Sequence, residues 1–157
     1  MQSHRPSLLK TILFSGLLVG TLDIATALIQ YSVQTGKDPL FVLRYIASGV
    51  FGNDAFAGGV HMAGWGLFFH FVIAFSFTVF FFFIYPKLGI LAKNRVLTGI
   101  FYGIFIWIVM NLGVLPLSGV PQSPFDAGRA TRGALILICM IGLPLSFIAG
   151  RFYSRVD

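Results

Sequence analysis

Charge is what this chain has least of. Of its 157 residues 10% are charged and 57% hydrophobic, and its mean hydropathy is +0.88, whereas soluble domains carry about 25% charged residues. That shortage excludes an ordinary soluble domain and points to a membrane protein. Within these 157 residues nothing is left over for an extramembrane domain. Cysteine is nearly missing too. Cys139 stands alone inside an apolar run, so it forms no intrachain disulfide and says nothing about redox compartment.

The patterns of common chemistries are also lacking. There is no phosphate-binding loop, no nucleophile elbow and no His-Glu-x-x-His pattern. Nor do Cys, His and carboxylates cluster at the spacings that hold zinc. No enzymatic activity and no cofactor are expected. The net charge of +6 raises the question of nucleic acid, but the basic residues sit singly at the ends of apolar runs and form no stripe. They read as topology determinants and lipid-headgroup contacts, which makes the bilayer the expected partner and nucleic acid not one.

What the chain has in abundance is long apolar runs. A hydrocarbon core of about 30 Å takes roughly 20 helical residues, and four runs reach that length, at about 11–31, 62–85, 96–116 and 132–150. The expected fold is all-α: a single-domain, integral membrane four-helix transmembrane bundle with one extra short interfacial helix at about 39–51. Arg5 and Lys10 before the first run, and the small-x-small triplet Ala25-Thr26-Ala27, also fit a cleaved signal peptide. Asp23 is a poor neighbour for such a site, so the segment is expected to be a retained first span.

Local signals set the boundaries. Ser7 as N-cap and Gly36 as the residue past the C-cap predict a helix from about Leu8 to Thr35. Asp38-Pro39 opens a second helix through about Phe51, too short to cross a membrane and expected to lie at the interface or on the bundle mouth. The aromatic run Phe80 to Tyr85 closing the second span is expected to face lipid. Ser123-Pro124-Phe125-Asp126 reads as an N-cap, a proline at N1 and a capping acid, which predicts a last helix beginning near Pro124. Arg5, Lys10, Lys87, Lys93, Arg95, Arg151 and Arg155 fall on one side of the bundle, and Lys37, Arg44, Arg129 and Arg132 on the other. Both termini are therefore expected in the cytoplasm.

The residue hardest to place is Asp23, in the middle of the first run. An ionised group at that depth costs upwards of about 2.5 kcal/mol and normally faces a bundle interior or wet cavity. Gly16, Gly20 and Ala27 share its helix face, so the charged side is also narrow enough for close helix approach. His70 in the second span and Asn111 in the third reach a similar depth, with Asp23 and His70 each about 12 Å below the outer end at 1.5 Å per residue. Asp23, His70 and Asn111 are the candidate site. They serve either as a proton or ion cluster, in which an Asp–His pair titrates as a unit, or simply as polar ties between helices. Gly99-x-x-x-Gly103 repeats the Gly16-x-x-x-Gly20 spacing, which fits two duplicated hairpins but also the glycine pairs common in membrane helices, and either way gives glycine faces for packing and oligomer contact. Pro144 is expected to kink the fourth span and free the Met140 carbonyl. Asp54, Asp126, Arg129 and Arg132 in outer loops can meet a solute or anchor the interface. Haem on His70 lacks a second axial ligand, since His61 lies about 180° round the helix and His4 at the far end.

Between Gly66 and Phe125 the residues resemble the YagU-like family of small bacterial inner-membrane proteins. The stretches that carry it are Gly66-Leu-Phe-Phe-His70, Tyr85-Pro86-Lys87-Leu88, Gly99-x-x-x-Gly103, Leu115-Pro116-Leu117-Ser118-Gly119 and Pro124-Phe125-Asp126. The resemblance implies a few-helix bundle in a bacterial cytoplasmic membrane, a role for the second-span histidine at His70, and a loose link to acid-stress survival. Asn111 stands where some relatives have a histidine. Three functions follow: proton or solute handling through the Asp/His/Asn cluster, an accessory or assembly subunit of a larger membrane complex or homo-oligomer, and haem-based redox chemistry.

Overall fold

The computed structural model describes residues 7–89, 93–121 and 124–154. The expectations that rest on His4, Arg5, Ser123 and Arg155 lie outside them. Four helices are long and apolar enough to cross a membrane: α1 (Leu8–Thr35), α4 (Gly59–Leu88, its last turn tightened to 3₁₀), α5 (Arg95–Leu117) and α6 (Ala127–Tyr153). Between α1 and α4 lie α2 (Leu40–Phe51) and the single turn α3 (Asp54–Ala57). All of the described secondary structure is helical.

The caps explain most of the boundaries. Gly36 at φ 66° takes the left-handed position that ends α1, its N–H donating to the Ser32 carbonyl. The Asp38 carboxylate accepts the Leu40 N–H at 3.0 Å at the head of α2 and also pairs with Arg44 at 3.0 Å. α6 corrects the expected start. Its N-cap is Asp126, whose Oδ1 accepts the Arg129 N–H at 2.6 Å, and the helix opens at Ala127 rather than near Pro124. The acid sits closer to the apolar run than the proline does and satisfies the orphan donors directly.

α1 packs on α4, and α5 on α6. Gly16 and Gly20 lie under the rings of Phe75 and Phe71, and Gly99 and Gly103 lie against the backbone of Leu143 and Ile138. Both glycine pairs are thus taken up inside the chain, each by its hairpin mate, which removes them as the surfaces for oligomer contact. The end of the bundle that carries Leu8 and Tyr153 is solidly filled by Val19, Phe81, Phe82, Tyr102, Ile106, Leu145 and their neighbours. Here the second-span aromatics depart from expectation. Phe81, Phe82 and Tyr85 are buried at 0%, 1% and 3% exposure, while Phe80 and Phe83 point outward. The run winds round the helix, so it covers both faces. Buried hydroxyls in this half find carbonyls across helices: Tyr102 donates to Phe77, Tyr153 to Phe82 and Ser146 to Arg95, each at 2.6 Å. In an apolar surround such satisfied donors tie neighbouring helices together.

The other half is built differently. α2 lies against α4 so closely that a side chain at Gly66 would run into the Leu43 carbonyl. Leu43, Ile24 and Ala63 form a second, smaller core there. α5 and α6 each contain one π turn, Met110–Val114 and Ile138–Gly142, closed by Leu115 N–H to Met110 and by Leu143 N–H to Ile138. Prolines follow both, Pro116 and Pro144, each in the first turn of the helical segment that resumes. Since proline has no N–H to continue the ladder, the register change sits where the hydrogen-bond pattern must already be interrupted.

Candidate functional site

The glycines of α1 make room for the site. With no side chain at Gly20, Phe71 and Ala74 of α4 pack directly against α1, and the neighbouring His70 Nε2 lies 2.8 Å from the Gly20 carbonyl oxygen. A carbonyl only accepts, so Nε2 carries the hydrogen, which in the neutral tautomer leaves Nδ1 with the lone pair. Asp23 follows Gly20 by three residues, about 4.5 Å along the helix axis at 1.5 Å per residue. Its carboxylate and His70 interact electrostatically without a hydrogen bond between them. Among the described residues none donates to Asp23, and no side-chain oxygen is both enclosed and unsatisfied. The Asp23 oxygens are therefore open to the space beside them.

That space consists of two cavities, and Asp23 lines both. The first, about 430 Å³, lies between α1, α2, α4, α5 and α6 and is walled by His70 and by apolar side chains such as Phe69, Phe77, Ile106, Val114 and Ile141. The second, about 490 Å³, is walled by Gln30, Trp107, Asn111, Asp126 and Arg129. Ala27, Tyr45, Leu115, Val120 and Leu137 are shared between them. The structure thus brings Asp23 beside His70 in one cavity and beside Asn111 in the other, with no hydrogen bond linking the three. The Asn111 amide instead donates to the Trp107 carbonyl of its own helix at 2.9 Å, at the start of the π turn.

Tyr45 on α2 is the member that the sequence did not single out. It sits on the short helix, one residue from Arg44, and only the packing of α2 over the bundle carries it to Asp23. Burial raises the Tyr45 phenol above its ordinary value of 10.0, and the nearby Arg129 guanidinium partly offsets this. The stability this contributes is intact below pH 10 and is lost as pH climbs through the folded value. Arg129→Ala is expected to move the Tyr45 titration further upward, read as the difference in phenolate absorbance between proteins with and without Tyr45→Phe. A downward movement would mean that Arg129 does not face the phenol.

Of the outer charges, Asp126 and Arg129 line the second cavity, whereas Asp54 and Arg132 line neither. His61 is exposed on α4, and among the described residues no three His, Cys, Asp or Glu side chains converge as metal ligands. Neither a family model, nor a curated protein, nor a solved structure matches this chain.

Proposed function

We propose that this chain is a multi-pass protein of a bacterial cytoplasmic membrane, with both termini cytoplasmic, that takes up and releases protons at Asp23 and His70 while handling a solute. The observation that carries the reading is one carboxylate without a hydrogen-bond donor beside one imidazole at the same cavity. Structural ties are normally satisfied polar groups, as Tyr102 and Tyr153 are here. Asp23 is not, and it places a titratable carboxyl at a depth where charge is costly. The packed half of the bundle below the cavities favours a site reached from one side at a time over an open pore. The resemblance to YagU-like proteins, with its link to acid stress, points the same way.

The test is proton uptake into liposomes, followed by an entrapped pH dye after a pH jump. Asp23→Asn and His70→Ala are each expected to lower the rate at least tenfold. Rates equal to the unaltered protein in both would sink the reading and leave the accessory-subunit alternative.

A further inference from the structure

We infer that the 430 Å³ cavity binds a hydrophobic organic cation, a protonated amine with a compact apolar body, whose charge rests on Asp23. The inference rests on the proton-handling reading and names its solute. The cavity volume falls in the range of about 300–1,000 Å³ typical of small-molecule sites. Its wall is almost wholly apolar, with Tyr45, Phe69 and Phe77 as aromatic faces and Ile106 and Val114 as aliphatic ones. Such a wall suits a hydrophobic body. Aromatic faces also attract cations.

The polar groups then decide the sign of the ligand's charge. Among the described residues Asp23 is the only acid on this wall, and none donates to it. His70, with its Nε2–H committed to Gly20, offers Nδ1 as an acceptor in its neutral tautomer. A carboxylate and an acceptor nitrogen together are met by an ammonium N–H. An anion would meet the neutral hydroxyls of Tyr45 and Ser118 but also the Asp23 carboxylate, which repels it, and a simple hydrocarbon would leave that carboxylate without a counter-charge. A lipid acyl chain is the competing occupant, and it fits the apolar wall but not Asp23.

One carboxylate neutralises one positive charge, so an ammonium and a proton compete for it. Protonated Asp23 loses its proton to water as the ammonium enters, and the ammonium leaves when the proton returns. Other charged or titratable groups near Asp23 are His70 from α4, Tyr45 from α2, and Asp126 and Arg129 from α6. From α5 the polar side chains on these walls are Trp107 and Asn111, and neither titrates in water.

The test uses the full chain in lipid nanodiscs, with 1-aminoadamantane as the cation and 1-adamantanol as its neutral isostere, measured calorimetrically against empty nanodiscs. The amine is expected to bind at one per chain, at least tenfold tighter than the alcohol. Its affinity should fall up to tenfold per pH unit once Asp23 protonates. Heats in buffers of different ionisation enthalpy should show proton release on binding. Asp23→Asn should weaken the amine at least tenfold and leave the alcohol unchanged, and Val114→Phe, which fills the cavity and keeps the acid, should weaken both. Equal affinity for amine and alcohol, or full amine binding in Asp23→Asn, overturns the inference in favour of a lipid-tail crevice. No amine binding at all also overturns it. Absence of amine binding with Asp23-dependent proton uptake leaves the proposed function standing, whereas uptake insensitive to Asp23 removes that function whatever the amine does.

Discussion

Gly142→Ala is expected to destabilise the bundle by about 3 kcal/mol or more, a large effect for a single methyl group, because overpacking a tight interior usually costs about 1–3 kcal/mol even where side chains can adjust. Here nothing can adjust. The added carbon meets the Gly99 carbonyl group and the Gly103 nitrogen, all of it helix backbone. Relief would require α5 and α6 to separate along the stretch where the π turn Ile138–Gly142 packs against Gly99 and Gly103. The same substitution at Gly64, where the new carbon has open space, should instead stabilise by about 0.5–1 kcal/mol, since glycine in a helix loses more backbone freedom on folding than alanine. Equilibrium unfolding of both variants by sodium dodecyl sulfate, followed by near-ultraviolet circular dichroism, compares them directly. A neutral or stabilising shift for Gly142→Ala would mean that the α5–α6 approach is looser than described.

Glycine spacing was legible before any coordinates because close approach between apolar helices needs small residues whatever the surroundings. The end of α1 was legible for the same kind of reason: Gly36 supplies a left-handed residue where the helix must stop. The aromatic run Phe80 to Tyr85 was misread because lipid and protein interior are equally apolar. Hydropathy alone does not tell Phe81, at 0% exposure, from Phe83, at 64%. The start of α6 was placed too early because two capping patterns overlap, and the nearer acid, Asp126, prevails.

The candidate site was legible only in part, and the reason is geometric. Helical periodicity puts Asp23 on the same face as Gly20, and matched depth puts His70 beside it. Neither says that His70 gives its hydrogen to the Gly20 carbonyl and leaves the carboxylate without it. Tyr45 was not recoverable from periodicity at all, because it depends on how α2 folds back across the bundle. A polar side chain on a helix too short to span is the one signal that marked it. Asn111 was placed at the right level, but its amide serves its own helix at the π turn.

Asp23→Asn is expected to make the protein more stable while removing its proton response. A charge at the centre of a membrane helix costs about 2.5–3.5 kcal/mol on insertion scales. Asp23 is half-buried beside two cavities, so a smaller gain of about 1–2 kcal/mol is expected for the neutral, nearly isosteric amide. Had Asp23 been a structural tie, its loss would cost stability, by about 0.6 kcal/mol for an average interhelical hydrogen bond. The sign of the change therefore separates a residue kept for function from one kept for the fold, as functional sites commonly carry groups that weaken the structure around them. Midpoints of unfolding for the two proteins in one detergent, at neutral pH and again at a pH low enough to protonate the carboxylate, give that sign. The gap should close at low pH, where both side chains are neutral. A variant less stable than its parent at neutral pH would return Asp23 to the role of a tie between α1 and its neighbours.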